Sequence, residues 1–393
     1  MCLKSTRLAA VLTLPELLDS NALKDHWYSA SGAHVPKRFQ VADDTLNADT
    51  AYRLACAGTA MHWQGDFAQA RQMLQALTRR VGLAAKPLAA KPQAVPTAMP
   101  QAFHAYRMAQ AQRARILSML VLTIQGDYRI ALRRAPDVQA ALTNAWGPAT
   151  GEARLVSLRE LLGILSAYEW QRKGVYLEVG LEEGLTIHPH YGVFSPVRNE
   201  YLRLLAQAPL PSLDLAFEIG TGTGVVAAVL LMRGVKQVTA TDNSERALSC
   251  AQDNLQRLKL ADRATLQLCD VFPQGLAPLI VCNPPWLPGK ATSLLEHAIY
   301  DPDSRMLRTF IAGVAAHLTP DGEAWLIVSD LAEHLNLRPR AQLLQWIADA
   351  GLQVLGREDI SPSHAKVHDT SDALHSARQQ EVTSLWRLGV RVA

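Results

Sequence analysis

Long apolar runs are missing from this chain of 393 residues. The longest, such as Ile116–Ile124, fall well short of the roughly 20 residues needed to cross a bilayer, so no membrane span is expected. A secretory leader is not expected either. Lys4 and Arg7 precede a short apolar stretch, but Pro15 and Glu16 follow at once and no small-residue cleavage site is evident. Cysteine is scarce, and the five present (Cys2, Cys56, Cys250, Cys269, Cys282) are odd in number and scattered. They read as free thiols of a reducing compartment, neither a disulfide framework nor a zinc site, and the expected location is the cytoplasm. His188, His190, His364, His368 and His375 lack a thiolate or carboxylate pattern and read as surface or packing residues, so no metal is expected. Internal repeats are absent too.

Net charge is nearly absent overall, at +3, but it is unevenly spread. Residues 1–150 carry 17 basic against 9 acidic residues, a net +8; the remainder carries 22 against 27, a net −5. Between Arg71 and Arg134 eleven basic residues face the single Asp127. Such a skew fits a basic surface that meets an anionic partner, and it fits equally a solvated face on Ala-rich helices, where Arg is a favoured residue.

Two textures divide the chain. The first ~170 residues read as mainly helical. Ala51–Met61 is helix-compatible, Leu74, Leu77 and Val81 recur at helical spacing, Arg113–Leu122 resumes an apolar helical pattern, and Val156–Trp170 gathers leucines on one side. Residues 86–100, with four prolines, read as a linker that cannot propagate a helix. Val175–Val179 and Leu185–Ile187 flank a glycine-bounded turn and predict a β-hairpin. The expected division is a helical substrate-recognition domain over 1–172, a hairpin connector over 173–190, and a catalytic domain over 191–393. In that last part short apolar runs (Leu215–Ile219, Gln237–Thr241, Thr265–Leu268, Leu279–Cys282, Glu323–Val328) alternate with helix-length segments, the pattern of a parallel sheet covered by helices. Leu352–Leu355 and Val382–Leu388 add a final pair suited to a strand inserted antiparallel. The predicted fold class is α/β, with a Rossmann-like sheet of seven strands.

The chemistry-bearing residues sit at the ends of those runs. Glu218-Ile219-Gly220-Thr221-Gly222-Thr223-Gly224 follows one strand and opens a helical segment, and its glycines let backbone amides approach a ligand. Alone it says little, because nicotinamide-dependent enzymes share such loops. The next strand ends in Asp242-Asn243, where doubly wound folds place an acid on ribose hydroxyls, and a third ends in Asp270-Val271. Neither a pyrophosphate partner nor a hydride site is apparent, and Glu218 suits a cationic amino group. At the fourth strand end stands Asn283-Pro284-Pro285-Trp286. An Asn oxygen and a proline-segment carbonyl can accept hydrogen bonds from both protons of a planar –NH2, aiming its lone pair at an electrophile. The prolines lock the backbone, and Trp286 offers a stacking face.

These four motifs in order, over about Tyr191–Leu388, resemble the small-domain class I methyltransferases. That group includes the HemK-like glutamine amide enzymes and the exocyclic-amine methyltransferases of ribosomal RNA guanine and of adenine. The resemblance implies S-adenosylmethionine as cofactor. Glu218, Gly220, Thr221, Gly222 and Gly224 would hold its methionine end, Asp242 and Asn243 its ribose, and Asp270 and Val271 its adenine. Asn283 would face both cofactor and acceptor, with Pro284, Pro285 and Trp286 completing the catalytic segment. The acceptor stays open between a nucleic-acid base and a glutamine of a release factor or ribosomal protein. His190–Pro196 is similar to the Gly-Val-Phe-Ser entry segment of the ribosomal RNA enzymes, whereas Pro196–Glu200 departs from the HemK-like Pro-Arg-Pro-x-Thr-Glu signature. Tyr191, Phe194 and Ser195 are candidates for a lid over the site, and equally for plain packing residues. A non-catalytic cofactor-binding adaptor is a further reading, disfavoured by intact Glu218 and Asn283.

Overall fold

The computed structural model describes residues 20–84, 99–196, 198–362 and 374–391. Residues 86–98 of the expected linker, together with Cys2, Val197, His364 and His368, lie outside the described residues; Met99 and Pro100 open a helix, Met99–Leu117. The chain forms two compact units, one from residues 1–95 with 107–168, the other from 96–106 with 169–393.

The first unit is mainly helical, as expected, but it also contains a sheet that the sequence reading did not expect. Its helices (Ala48–Cys56, Phe67–Ala84, Gln139–Trp146 and parts of Met99–Leu117 and Leu158–Lys173) accompany a four-stranded sheet. The strands are β1 (Arg38–Ala42), β2 (Thr59–Trp63), β3 (Leu120–Ile124) and β4 (Arg154–Ser157), paired in that order. β1, β2 and β3 run parallel and β4 antiparallel to β3. β2 is buried at every residue and β3 at all but one. A short apolar run buried on both faces carries no alternation, so periodicity cannot separate it from a buried helix. The helix over Ala48–Cys56 instead stops before Gly58, whose φ of +76° turns the chain into β2.

In the second unit β5 (Val175–Leu177) and β6 (Leu185–Ile187) form the expected hairpin. A seven-stranded sheet follows, from β7 (Leu215–Ile219), β8 (Gln237–Asp242), β9 (Ala264–Leu268), β10 (Ala277–Cys282), β11 (Leu318–Ser329), β12 (Leu352–Ile360) and β13 (Thr383–Val390). Their order is β12-β13-β11-β10-β7-β8-β9, and only β13 runs against its neighbours. The α/β class and the antiparallel insertion agree with the sequence.

Alternate residues of one strand feed opposite faces of this sheet. Leu279, Val281, Trp325 and Ile327 pack with helices Glu200–Gln207 and Val225–Met232 on one side. Ile280, Cys282, Leu326 and Val328 pack with helices Arg305–Val314 and Arg340–Asp349 on the other. Across the β11–β13 pair, where Trp325 stands opposite Arg387, the Arg387 guanidinium forks onto Glu323 at 2.8 and 2.6 Å, and the Trp325 indole donates to the same carboxylate at 2.9 Å. Removing one partner strands a mostly buried charge. Arg387→Ala should therefore cost about 3 kcal/mol in urea unfolding, with Glu323→Leu/Arg387→Leu recovering much of it; equal losses in both variants would show that the ion pair itself stabilises β13.

Candidate active site at the strand ends

Parallel pairing aligns the four motifs. Ile219 pairs with Thr241 on β8 and with Cys282 on β10, and Asp242 pairs with Leu268 on β9. The loops after β7, β8, β9 and β10 therefore leave the same edge of the sheet side by side.

The loop after β7 is stitched to β8 by backbone bonds. Gly220 and Thr221 donate their N–H groups to the Thr241 carbonyl at 2.9 and 2.8 Å, and Gly222 donates to Asp242 Oδ2 at 3.0 Å. Gly220 and Gly224 have φ of +76° and +79°, a region that disfavours side chains. A Cβ would also stand 2.9 Å from the Met306 methyl at position 220 and 3.1 Å from the Ala251 backbone at 224. Glu218, only 3% exposed, points inward from β7. Its Oε2 accepts both the Thr221 hydroxyl (2.7 Å) and the Ala227 amide (3.1 Å). Burial pushes this carboxyl up to about 8 against those two bonds, with the Asp242 charge adding to the rise.

Asp242 serves two turns at once, since its Oδ1 accepts from Ser244 N–H at 3.0 Å while Oδ2 holds Gly222. Burial raises its pKa, opposed by the amides of Gly222, Ser244 and Asn243. Asp270 differs. It is exposed and gripped by Arg305 at 2.8 and 3.1 Å, and the hydrogen bond from Arg305 is the main cause of its lowered pKa. Val271, the next residue, is buried, and its carbonyl accepts the Thr241 hydroxyl at 2.8 Å.

Asn283 is held by Trp286, whose Nε1 donates to its Oδ1 at 3.0 Å, and the buried Tyr201 hydroxyl lies close to its side chain. Burial, then the nearby Glu218 charge, keeps Tyr201 well above the usual phenol range. Pro284 is buried and Pro285 half-buried, and Trp286 packs against the apolar clusters of both sheet faces. The Arg198 guanidinium lies 5.4 Å from the Trp286 ring centroid. Arg198 donates to Glu381 Oε1 at 3.0 Å, and the Ser329 hydroxyl donates to that oxygen at 2.6 Å. Three polar atoms in this segment, Ser195 Oγ, Arg198 Nε and Glu381 Oε2, are buried without a hydrogen-bond partner.

The segment before Arg198 runs along the helix Glu245–Arg257. His190 N–H donates to Cys250 Sγ at 3.3 Å, and its ring meets Asp253 at 2.8 Å. The Tyr191 carbonyl accepts Arg246 at 3.2 Å, with that guanidinium 5.8 Å from the Tyr191 ring centroid. Phe194 and Ser195 are half-buried. His190 and Tyr191 thus lie against the helix after Asp242, and Arg198 and Tyr201 lie near Trp286 and Asn283.

The structure brings Glu218, Thr221, the glycines, Asp242, Asn243, Asp270, Val271 and Asn283–Trp286 to one edge. Sequence reasoning missed Tyr201, Arg198, Glu381 and Arg305. Tyr201 reads as one more apolar position of an amphipathic helix, and the Arg198–Glu381 pair joins residues 183 positions apart, which one sequence gives no means to pair. Among the described residues no group of three or more His, Cys, Asp and Glu side chains gathers as for a metal, and no helix is long and apolar enough to cross a membrane.

Residues 184–344 match the family model described as methyltransferase small domain. The release factor glutamine methyltransferase of Rhodopirellula baltica is 34% identical over 140 residues, which are 34% of this chain and 43% of that protein. The tRNA1(Val) (adenine(37)-N6)-methyltransferase of Shewanella sediminis is 24% identical over 187 residues, 45% of this chain and 74% of that protein. The chain therefore spans less than half the length of the first relative. A solved ribosomal protein L11 methylase from Lactobacillus delbrueckii subsp. bulgaricus is similar over 52% of this chain and 86% of its own, at 17% identity and a TM-score of 0.36.

A protonated Glu218 has a measurable consequence. Its folded value of about 8 lies above its ordinary 4.5, so its contribution to stability is complete below about 4.5 and is lost as pH rises towards 8. The slope reaches at most about 1.4 kcal/mol per pH unit. Urea titrations between about pH 5 and about pH 8.5 should show the wild type losing stability as pH rises and Glu218→Gln losing clearly less. Parallel curves for the two would mean that Glu218 holds no such proton.

Proposed function

We propose that the chain, whose residues 184–344 match the methyltransferase small domain family model, is an S-adenosylmethionine-dependent N-methyltransferase acting on a planar exocyclic nitrogen of an RNA base. The observation that carries this reading is the fixed Asn283 side chain, at a strand end paired in register with the end of the Glu218 strand.

The residues present fit the cofactor. The glycine loop keeps Cβ atoms out of the space beside Met306, and buried Glu218 has one oxygen, Oε1, that neither of its two bonds uses. We assign Oε1 to the amino group of the methionine moiety, Asp242 and Asn243 to the ribose hydroxyls, and Val271 with Asp270 to the adenine. Arg305 shares Asp270 in that arrangement, so the carboxylate reaches the adenine already charge-balanced. When bound, S-adenosylmethionine supplies an electrophilic methyl group on a sulfonium centre.

On the acceptor side, one lone pair of Asn283 Oδ1 takes the Trp286 indole N–H. The other is left for one N–H of the acceptor, and the Pro284 carbonyl suits the second. Both bonds strengthen as positive charge grows on the nitrogen, which is the condition for lowering the barrier. The Arg198 guanidinium lies 5.4 Å from the centroid of Trp286, a half-buried ring that we assign to contact with a flat base. Asn283 Oδ1 and the Pro284 carbonyl would hold the acceptor nitrogen while it takes the methyl group that the bound cofactor supplies, and its surplus N–H proton would pass to water once the nitrogen is acidic. A paired base would have to be flipped out or offered in a loop.

The net +8 of residues 1–150 and the tRNA adenine relative support an RNA acceptor. The 34% identity to a release factor glutamine enzyme supports a second reading, a glutamine amide of a translation protein, which the same Asn283 geometry would serve. Incubation with tritiated cofactor and lysate from a strain lacking the gene, followed by separation of RNA from protein, discriminates them. Label in RNA is expected; label confined to protein would transfer the assignment to the glutamine reading. Asn283→Ala should slow transfer by about a hundredfold or more while S-adenosylhomocysteine binds nearly as well. Transfer at the wild-type rate would remove Asn283 from the reaction.

A further inference from the structure

The basic skew of the first half is distributed differently in space than along the chain. Of the cations between Arg71 and Arg134, Arg80 is paired with Asp49, Arg129 with Asp127, and Arg133 and Arg134 both with buried Asp66. The hydrogen bond from Arg134 chiefly, then that from Arg133, holds Asp66 well below the carboxylate range. Three carboxylates offset these four guanidiniums, which therefore offer a polyanion less than their count suggests.

A different set of cations lines a concavity. Among the described residues β1 is an edge strand, paired only with β2, and Arg38 and Gln40 stand two apart on it, both exposed. The crossover helix Ala48–Cys56 presents Thr50, Arg53, Leu54 and the following Ala57 to the same space, with Thr50 and Arg53 one turn apart and hydrogen-bonded at 3.0 Å. With Phe39 and Thr59 these residues bound an open groove of about 620 Å³, and none of the eight is acidic. At its Thr59 end Gly58 lies against Arg115, whose Nη1 is 3.6 Å from where a Cβ would be. Neither Arg38 nor Arg53 forms an ion pair among the described residues.

We propose that this groove, walled by Arg38 of β1 and Arg53 of the crossover helix, binds the sugar–phosphate backbone of the RNA acceptor. The proposal rests on the RNA reading of the active site. Each of the two guanidiniums can fork onto a phosphate, no lining residue is acidic, and Gln40, Thr50 and Thr59 add neutral hydrogen-bonding groups suited to phosphate and ribose oxygens. The open shape suits a polymer that enters and leaves at the ends, and contacts to a sugar–phosphate backbone carry no sequence information. Such contacts anchor a substrate while the base to be modified is chosen elsewhere.

The test uses the full-length protein and fluorescently labelled, unfractionated bacterial tRNA, with affinity read by anisotropy over a range of salt concentrations. Arg38→Glu/Arg53→Glu should weaken binding about tenfold or more, and Arg38→Gln/Arg53→Gln should lower the salt slope by roughly two. Arg71→Glu/Arg79→Glu, which changes net charge by the same amount at exposed positions outside the groove, should weaken binding clearly less. S-adenosylhomocysteine affinity should stay at the wild-type value in all three variants, which confirms that they are folded. Equal loss in the groove and control variants would reduce the effect to net charge and overturn the proposal, as would unchanged binding in the groove variants. Should the wild type itself ignore tRNA while tritium enters protein, the RNA reading falls and the groove proposal with it; tritium in RNA with unaffected groove variants overturns the groove alone.

Discussion

Two parallel strands can be joined only by a crossover that returns the chain to the starting edge, so every loop leaving a strand's C-terminal end emerges on the same side. The functional edge of this protein depends on that constraint. β10, β7, β8 and β9 are adjacent and in register, and their ends bring Asn283, Glu218, Asp242 and Asp270 into one row. Hydrogen bonds from the first loop to Thr241 and Asp242 then convert a row of strand ends into a continuous surface. Without the parallel register those bonds have no partners.

Burial grades the carboxylates of this edge. Glu218 is enclosed and its charged form disfavoured, so it is poised to ionise when a cation arrives; Asp270 is exposed and already held ionised by Arg305. Glu381 is deeper still, with its side chain wholly out of solvent, and one of its oxygens is shared by Arg198 and Ser329. A buried ion pair is a weak source of stability, but removing one member is costly, and that rigidity suits a device that fixes a neighbouring ring. Arg198 lies over Trp286, and Trp286 donates to Asn283. Packing, charge and the orientation of one amide are therefore linked across four side chains drawn from three separate parts of the chain.

The first unit shows the same separation between sequence order and spatial order. Its parallel strands carry crossover helices, and one of these, with the edge strand before it, forms a groove from residues 38–59. The denser basic segment further along the chain spends several of its guanidiniums on Asp49, Asp66 and Asp127. Charge counted along a sequence measures supply; the carboxylates that fold against it determine what is left for a partner.

By itself the sequence determined the seven-stranded α/β sheet, the antiparallel last strand, the hairpin and the four strand-end motifs, because alternating helices and apolar runs, glycines needing positive φ, and Asn-Pro-Pro-Trp are local signals. It did not determine the four-stranded sheet of the first unit, since β2 and β3 are buried on both faces and show no period to distinguish them from helix. Only the tertiary structure decided that Trp286 holds Asn283 beside Tyr201, that Glu381 holds Arg198, that Arg305 holds Asp270, and that Arg38 and Arg53 share a groove. Most of these partners lie far apart in the chain, and their meeting depends on strand order and crossover path, which no local spacing encodes.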